Sequence, residues 1–424
     1  FQAEDGIRDL VRSRGLGDVY KRQDQERSKP EYEKSIKEDL NWLGIFWEKT
    51  DRQSSRLKNY NDALQHLFDI GRAYRCYETQ EELSLKRKAQ LMSGNPPVYD
   101  RQGLSLVDND HQKFQKEGRL PHWRFKLIHE EVSWVDMVRG NCTYDMKSLS
   151  DPVIMREDGR PIYTLASVVD DIDHNISHII RGEDHVTNSA AQIQLFKALG
   201  GKVPELGHLS LLAGSEGEGL SKRLGSLNLG ELKQEGFESI TLSSLLAKIG
   251  TSDPMKAFIN TDELIKDFDL SKFSRNTAKF DSNDLYIMNK KSIQFMEFKE
   301  AKSRLTEIGL DINEEFWRTI SGNLNKLNEA RIWWDVVYGE IDPIIDNSNL
   351  IEKAIEFFPE NNLDNTSWGS WCKSISGNTD YKGRDLFISL RKAITGFEYG
   401  PELSNLLPLI GKDKILSRMS GKKS

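Results

Sequence analysis

The 424-residue chain predicts an α/β region of the nucleotide-fold kind followed by an all-α region, on three observations. Residues 162–169 are apolar and partly β-branched and end in Asp170 and Asp171, which suits a buried parallel strand whose polar end opens onto a crevice. Residues 176–180 repeat the pattern more briefly and end in Arg181, Gly182, Glu183, Asp184 and His185, where open α/β sheets bind their ligands. Beyond about residue 236 the apolar spacing becomes helical.

Residues 1–23, FQAEDGIRDLVRSRGLGDVYKRQ, show no sustained helical or strand periodicity and no signal-peptide core, and are expected to be a loosely attached head. Pro30 opens a helix with Ile36, Leu40 and Leu43 on one face. A second helix runs through Leu64, Leu67 and Phe68 and stops at Gly71, and AYRCYET then enters an insertion of mixed character reaching about residue 157. After the two expected strands, Thr187 or Asn188 caps a helix carrying Ile193, Phe196 and Leu199, with Gly200 as its stop. SSLLAKIG, TDELIKDFD and a longer stretch over 285–310 read as helices. Trp317, Trp333, Trp334, Trp368 and Trp371 follow at helical spacing, a pattern that favours core over base stacking.

Composition excludes some classes of function. No apolar run approaches the roughly 18 residues of a membrane span, so no membrane partner is expected. Three scattered cysteines, Cys76, Cys142 and Cys372, indicate a reducing compartment without a disulfide framework, hence a cytoplasmic location. A net charge of −7 neither requires nor forbids a nucleic-acid partner, because basic residues can gather on one face.

Two places carry chemistry. The segment GEGLSKRLGS, residues 217–226, sets Ser221, Lys222 and Arg223 between glycine-bearing flanks, a design that brings cations against phosphates. Arg181 at a strand end offers a planar fork that matches a carboxylate, with the Tyr163 hydroxyl nearby in the same sheet. An ion pair from Arg181 to Asp184 or Asp171 is the competing role.

Residues 158–200, DGRPIYTLASVVDDIDHNISHIIRGEDHVTNSAAQIQLFKALG, together with the LSKR loop, resemble the second half of a class I aminoacyl-tRNA synthetase catalytic domain, specifically bacterial glutamyl-tRNA synthetase. The resemblance covers about residues 24–421 and implies a Rossmann-like catalytic domain that joins glutamate to tRNA(Glu) with ATP and Mg2+. It implies that Tyr163 and Arg181 face glutamate. Glu183, Asp184 and His185 then lie near the adenosine and ribose, and Ser221, Lys222 and Arg223 bind ATP. Lys222 falls on the second lysine of the KMSKS-type signature and is the catalytic candidate, whereas Gly219 stands where the first lysine would be. The final segment, LRKAITGFEYGPELSNLLPLIGKDKILSRMSG, resembles the end of a helical anticodon-binding region. Some relatives hold zinc in the insertion through a C-x-C pair and a later C-x-H-like pair. Here Glu78 follows Cys76 and no second pair is apparent, so no zinc or other protein-bound metal is expected.

The family's H-x-G-H signature is absent, and the head resembles translated adapter read-through, so the expectation is a chain truncated at its N-terminus and itself inactive. The expected division is a head over 1–23, a remnant of the first catalytic half over 24–72, and an acceptor-end insertion over 73–157. The second catalytic half follows over 158–235, a helical stem-contact region over 236–312 and the anticodon-binding region over 313–424. A monomer is expected. The competing function is a non-catalytic tRNA-binding paralogue.

Overall fold

The computed structural model describes residues 30–214 and 229–424. These form two compact units. The first comprises the described residues up to Gly230 with Leu246–Pro254 and Asp267–Phe280, and the second comprises Glu231–Leu245, Met255–Lys266 and Asp281–Ser424. The expectations for the head and for Ser221, Lys222 and Arg223 fall outside the described residues.

In the first unit, α1 (Pro30–Trp42) and α2 (Leu57–Asp69) precede β1 (Ala73–Cys76). Gly71 lies at φ +69, the left-handed conformation that lets the chain leave α2. The insertion opens with α3 (Gln80–Met92), whose Thr79 and Glu82 form a reciprocal capping box, and continues through α4 (Asp108–Lys116). Strands β2 (His122–Phe125), β3 (Glu131–Asp136), β4 (Gly140–Asp145) and β5 (Val153–Met155) follow. Antiparallel pairing builds a three-stranded sheet, β1-β2-β5.

Residues 162–169 are not a strand. They begin α5 (Tyr163–Asp173), with Ile162 in extended conformation as its N-cap. Leu165, Ala166, Val168 and Val169 are all buried, and Ile172 continues the same face against the core. That i, i+1, i+3, i+4, i+7 spacing is helical, and a short apolar run alone does not separate the two states. Asp170 and Asp171 therefore sit in the last turns of a helix. The second expected strand is β6 (His178–Gly182), shifted by two residues from the apolar run. A 3-10 turn over Glu183–His185 feeds directly into α6 (Val186–Ala198), so Thr187 and Asn188 lie inside that helix and neither caps it. Gly200, at φ +72, marks the stop as expected.

The chain returns as β7 (Glu205–Leu209), parallel to β6 with Arg181 opposite His208. The four-stranded sheet runs β4-β3-β7-β6, with β3 parallel to β7 and antiparallel to β4. Thus β6, α6 and β7 form a βαβ unit, and its partner β3 ends at Asp136, opposite Leu206 near the start of β7. Strand β8 (Leu212–Gly214) pairs in parallel with β9 (Ala278–Phe280). The core beneath α5 and α6 contains Leu165, Ala166, Ala190 and Leu195 with Phe125, Met146 and Ile154.

The second unit is helical. SSLLAKIG and TDELIKDFD supply the last turns of the helix Ser239–Lys248 and the whole of the helix Thr261–Asp267, each of which passes at its end into a segment of the first unit. The long stretch over 285–310 is two helices, Ser282–Phe295 and Phe298–Glu307, broken at Met296 and Glu297. One apolar core extends from Ile293 to Met419. Trp317, Trp333 and Trp371 are buried in it, and Trp334 and Trp368 pack against it partly buried.

Candidate active site

Arg181 is the fourth residue of β6 and is 6% exposed. Its guanidinium donates through Nη1 to the Tyr163 hydroxyl at 2.9 Å, and through Nη2 to Ser189 Oγ at 2.6 Å and Gln192 Oε1 at 2.5 Å. Its Nε–H points at His208 Nε2 from 3.5 Å. A phenol, a hydroxyl, an amide and an imidazole thus surround the cation. Among the described residues no carboxylate pairs with it, so the expected alternative of an ion pair with Asp184 or Asp171 is not formed.

Three elements converge on this guanidinium. Tyr163 opens α5, Ser189 and Gln192 stand three apart on α6, and His208 comes from β7. Tyr163 therefore reaches Arg181 from a helix and not from the same sheet. Gln192 is oriented in turn, since its amide donates to Ser167 Oγ at 2.9 Å and Ser167 donates to the Tyr163 carbonyl at 2.6 Å.

Behind His208 lies Asp136, also buried. Its Oδ2 is 2.5 Å from His208 Nδ1, and Ser189 Oγ is 2.7 Å from His208 Nε2. Asp136 Oδ1 accepts the backbone N–H groups of Val138, Arg139 and His208 at 3.1, 3.0 and 3.1 Å. Burial by itself pushes this carboxyl up. The His208 ring and the three backbone donors outweigh it and hold Asp136 below the usual carboxylate range.

The residues expected near the nucleotide differ in their surroundings. Glu183 forms a 2.7 Å ion pair with Arg139 and accepts from the Leu211 N–H, so its carboxylate is already engaged. Asp184 Oδ2 is 3.7 Å from His185 Nε2, and the His185 ring lies 5.4 Å from that of Tyr163. A Cβ at Gly182, just before them, would stand 2.5 Å from Asp184 Oδ1 and 3.2 Å from Leu211 Cδ2, so a side chain there would displace the Asp184 carboxylate. Asp170, at the far side of α5, takes Arg56 Nε at 2.6 Å, Tyr60 and Gln53, a buried junction that fastens α2 to α5.

Pairing of β1 with β2 places Cys76 opposite His122, and Cys76, Glu78 and His122 each offer a ligand atom within 4.8 Å of one another. The absence of a second pair from the sequence neighbourhood of Cys76 is thus corrected by the sheet. Glu78 Oε2 and His122 Nε2 are both buried without a hydrogen-bond partner. Burial pushes the Cys76 thiol up to about 11 and His122 down to about 4. Tyr99 joins the group, donating to Glu78 at 2.8 Å and lying 3.4 Å from Cys76 Sγ. The buried guanidinium of Arg124 donates to the Asp151 carbonyl at 2.7 Å and covers the Tyr99 ring at 4.0 Å. Among the described residues these three donors fall one short of a four-ligand zinc site.

Asp136, Ser189, Gln192 and His208 escaped sequence reasoning. One signal was present: Gln192 and Gln194 alternate with apolar residues in α6, and both are buried. Amides in an otherwise apolar helix imply specific partners inside.

The chain matches a family described as tRNA synthetases class I (E and Q), catalytic domain, over residues 20–287, and an anticodon binding domain over residues 346–421. Glutamate–tRNA ligase 1 of Maricaulis maris is 46% identical over 399 residues, covering 94% of this chain and 90% of that protein. Glutamate–tRNA ligase 2 of Hyphomonas neptunium is 47% identical over 402 residues with the same coverage. The chain belongs to the glutamate–tRNA ligase family. It is therefore a class I aminoacyl-tRNA synthetase in sequence. A crystal structure of a glutamate tRNA ligase from Elizabethkingia meningosepticum, in complex with its amino acid, shares the fold at a TM-score of 0.77 with 23% identity, covering 94% of this chain and 90% of that one. Among the described residues no helix is long and apolar enough to cross a membrane.

Proposed function

We propose that this glutamate–tRNA ligase family member holds glutamate by a carboxylate against Arg181 and Tyr163, activates it with ATP and passes it to tRNA(Glu). The observation that carries this reading is a buried guanidinium that pairs with no carboxylate among the described residues. Removing a charge from water costs several kcal/mol unless a partner compensates, and the neutral groups around Arg181 supply hydrogen bonds but no counter-charge. An amino-acid carboxylate supplies it, with Nη1 as the side of the fork that is only singly engaged.

Activation requires the glutamate α-carboxylate to attack the α-phosphorus of ATP in line as pyrophosphate departs. No protein nucleophile enters this step, so the chain acts by holding the reactants and by directing cations at developing charge. Lys222, with Ser221 and Arg223, is proposed to meet the phosphates, and Mg2+ supplies further charge neutralisation when bound. Asp184 and His185 are proposed to face the nucleoside, with Glu183 acting through Arg139 to brace that turn. The acyl group then moves to a terminal ribose hydroxyl of the tRNA. The insertion over 73–157 is proposed to handle the acceptor end, and the region over 313–424 the anticodon. A cytoplasmic monomer is the proposed working form.

Calorimetric titration of the chain with glutamate tests the reading. Saturable binding that Arg181→Ala abolishes supports it. Binding that survives Arg181→Ala, or no glutamate binding by a folded protein that still binds tRNA, contradicts it; the latter result favours the non-catalytic paralogue.

A further inference from the structure

We propose that Asp136 and His208 are positioning residues that set the hydrogen-bond polarity around Arg181, and so prepare its guanidinium for the glutamate carboxylate. This rests on the assignment of Arg181 to glutamate and adds two buried residues that touch neither substrate nor nucleotide. The chain of contacts runs Asp136 Oδ2 to His208 Nδ1, His208 Nε2 to Ser189 Oγ, and Ser189 Oγ to Arg181 Nη2.

Its direction follows from donor and acceptor accounting. Asp136 only accepts, so His208 carries its proton on Nδ1 and turns the Nε2 lone pair toward Ser189 and the Arg181 Nε–H. The Ser189 hydroxyl can donate to that lone pair, or to the His185 carbonyl at 3.2 Å, and its oxygen stays open to Arg181 Nη2. Each group around the cation then presents an acceptor. The opposite tautomer would aim an N–H at the guanidinium and leave Nδ1 without a proton for Asp136.

Asp136→Asn separates this role from packing. The Oδ1 position receives three backbone N–H groups, so the amide oxygen of an asparagine must occupy it. The amide nitrogen then takes the Oδ2 position, facing His208 Nδ1 and the Trp134 indole N–H that lies 3.4 Å from that site. An N–H donor there forces the His208 proton onto Nε2, with almost no change of side-chain volume.

The test combines 15N NMR of the His208 ring, assigned by its loss in His208→Gln, with calorimetric glutamate affinity. In the unaltered chain Nε2 should carry the lone pair. In Asp136→Asn the tautomer should invert and glutamate should bind about 10- to 100-fold more weakly, the scale of one misdirected hydrogen bond to a charged group. Ser189→Ala, which keeps a good helix former in α6, should weaken binding with the ring tautomer unchanged; it also covers the case in which Asp136→Asn does not fold. An inverted tautomer with unchanged affinity overturns the proposal, as does weakened binding without inversion, or unaltered affinity in Ser189→Ala. If Arg181→Ala itself leaves glutamate binding intact, the glutamate assignment fails; if Arg181→Ala alone is damaging, only the relay fails.

Discussion

Arg181, Asp136 and Lys222 each answer to a different measurement. Asp136 is held below its ordinary value of 3.8 in the fold, so its charged form favours the native state. The sign is that of a depressed carboxyl: its contribution is fully present above about pH 5 and is lost as pH falls through 3.8 and below. Urea midpoints measured from pH 7 to pH 3 should therefore fall more steeply in the unaltered chain than in Asp136→Asn, whose amide does not titrate. Parallel curves would show that the His208 contact does not stabilise the charged carboxylate. Lys222 lies outside the described residues, and its role rests on the LSKR match. Where the chain supports glutamate-dependent ATP–pyrophosphate exchange, Lys222→Ala should lower it by roughly 10²–10³, the scale for one preorganised donor to transition-state charge. An unchanged kcat would make the loop a solvated turn.

At the scale of elements, α5 shows what the sequence left ambiguous. LASVVDD is apolar enough for a strand, and only the position of its polar breaks, matched to the turn of a helix, decides for α5. The strand β6 was legible because its polar end, RGEDH, follows directly on β-branched residues. Arg181 and Tyr163 were singled out through the motif that contains them, and the fold brings the two side chains together. Their supports were not, because Asp136 and His208 are 72 residues apart and meet only when β3 pairs with β7. The Cys76 group has the same origin: antiparallel register, not sequence spacing, sets His122 against Cys76. With only Cys76, Glu78 and His122 offering ligand atoms there among the described residues, the purified protein should contain no stoichiometric zinc, and a chelator should not shift its Tm; one tightly held zinc per chain would contradict that reading. Gly103 tests the packing there. A Cβ at Gly103 would lie 2.7 Å from Cys76 Sγ and 2.8 Å from the Arg75 carbonyl oxygen, so Gly103→Ala should cost about 1–3 kcal/mol in urea unfolding through overpacking.

Over the whole molecule, each of the two units carries its own apolar core, one beneath α5 and α6 and the other spanning Ile293 to Met419. The tryptophans of the second unit were legible as core from their helical spacing. Trp371 is 2% exposed and its indole donates to the Ala354 carbonyl at 2.9 Å, so Trp371→Ala should cost about 3–5 kcal/mol. Hydrogen exchange should show that loss in the helices Ser348–Glu356 and Ser367–Asn378, with the β6 and β7 amides keeping their protection. Equal loss in both units would mean that they unfold as one. The central claim is that the first unit buries a cation reserved for the carboxylate of glutamate, and a crystal structure of the chain soaked with glutamate tests it most directly. A carboxylate oxygen about 2.7–2.9 Å from Arg181 Nη1, beside the Tyr163 hydroxyl, is the predicted result. Glutamate bound elsewhere, with Arg181 contacting only Tyr163, Ser189, Gln192 and His208, would contradict it.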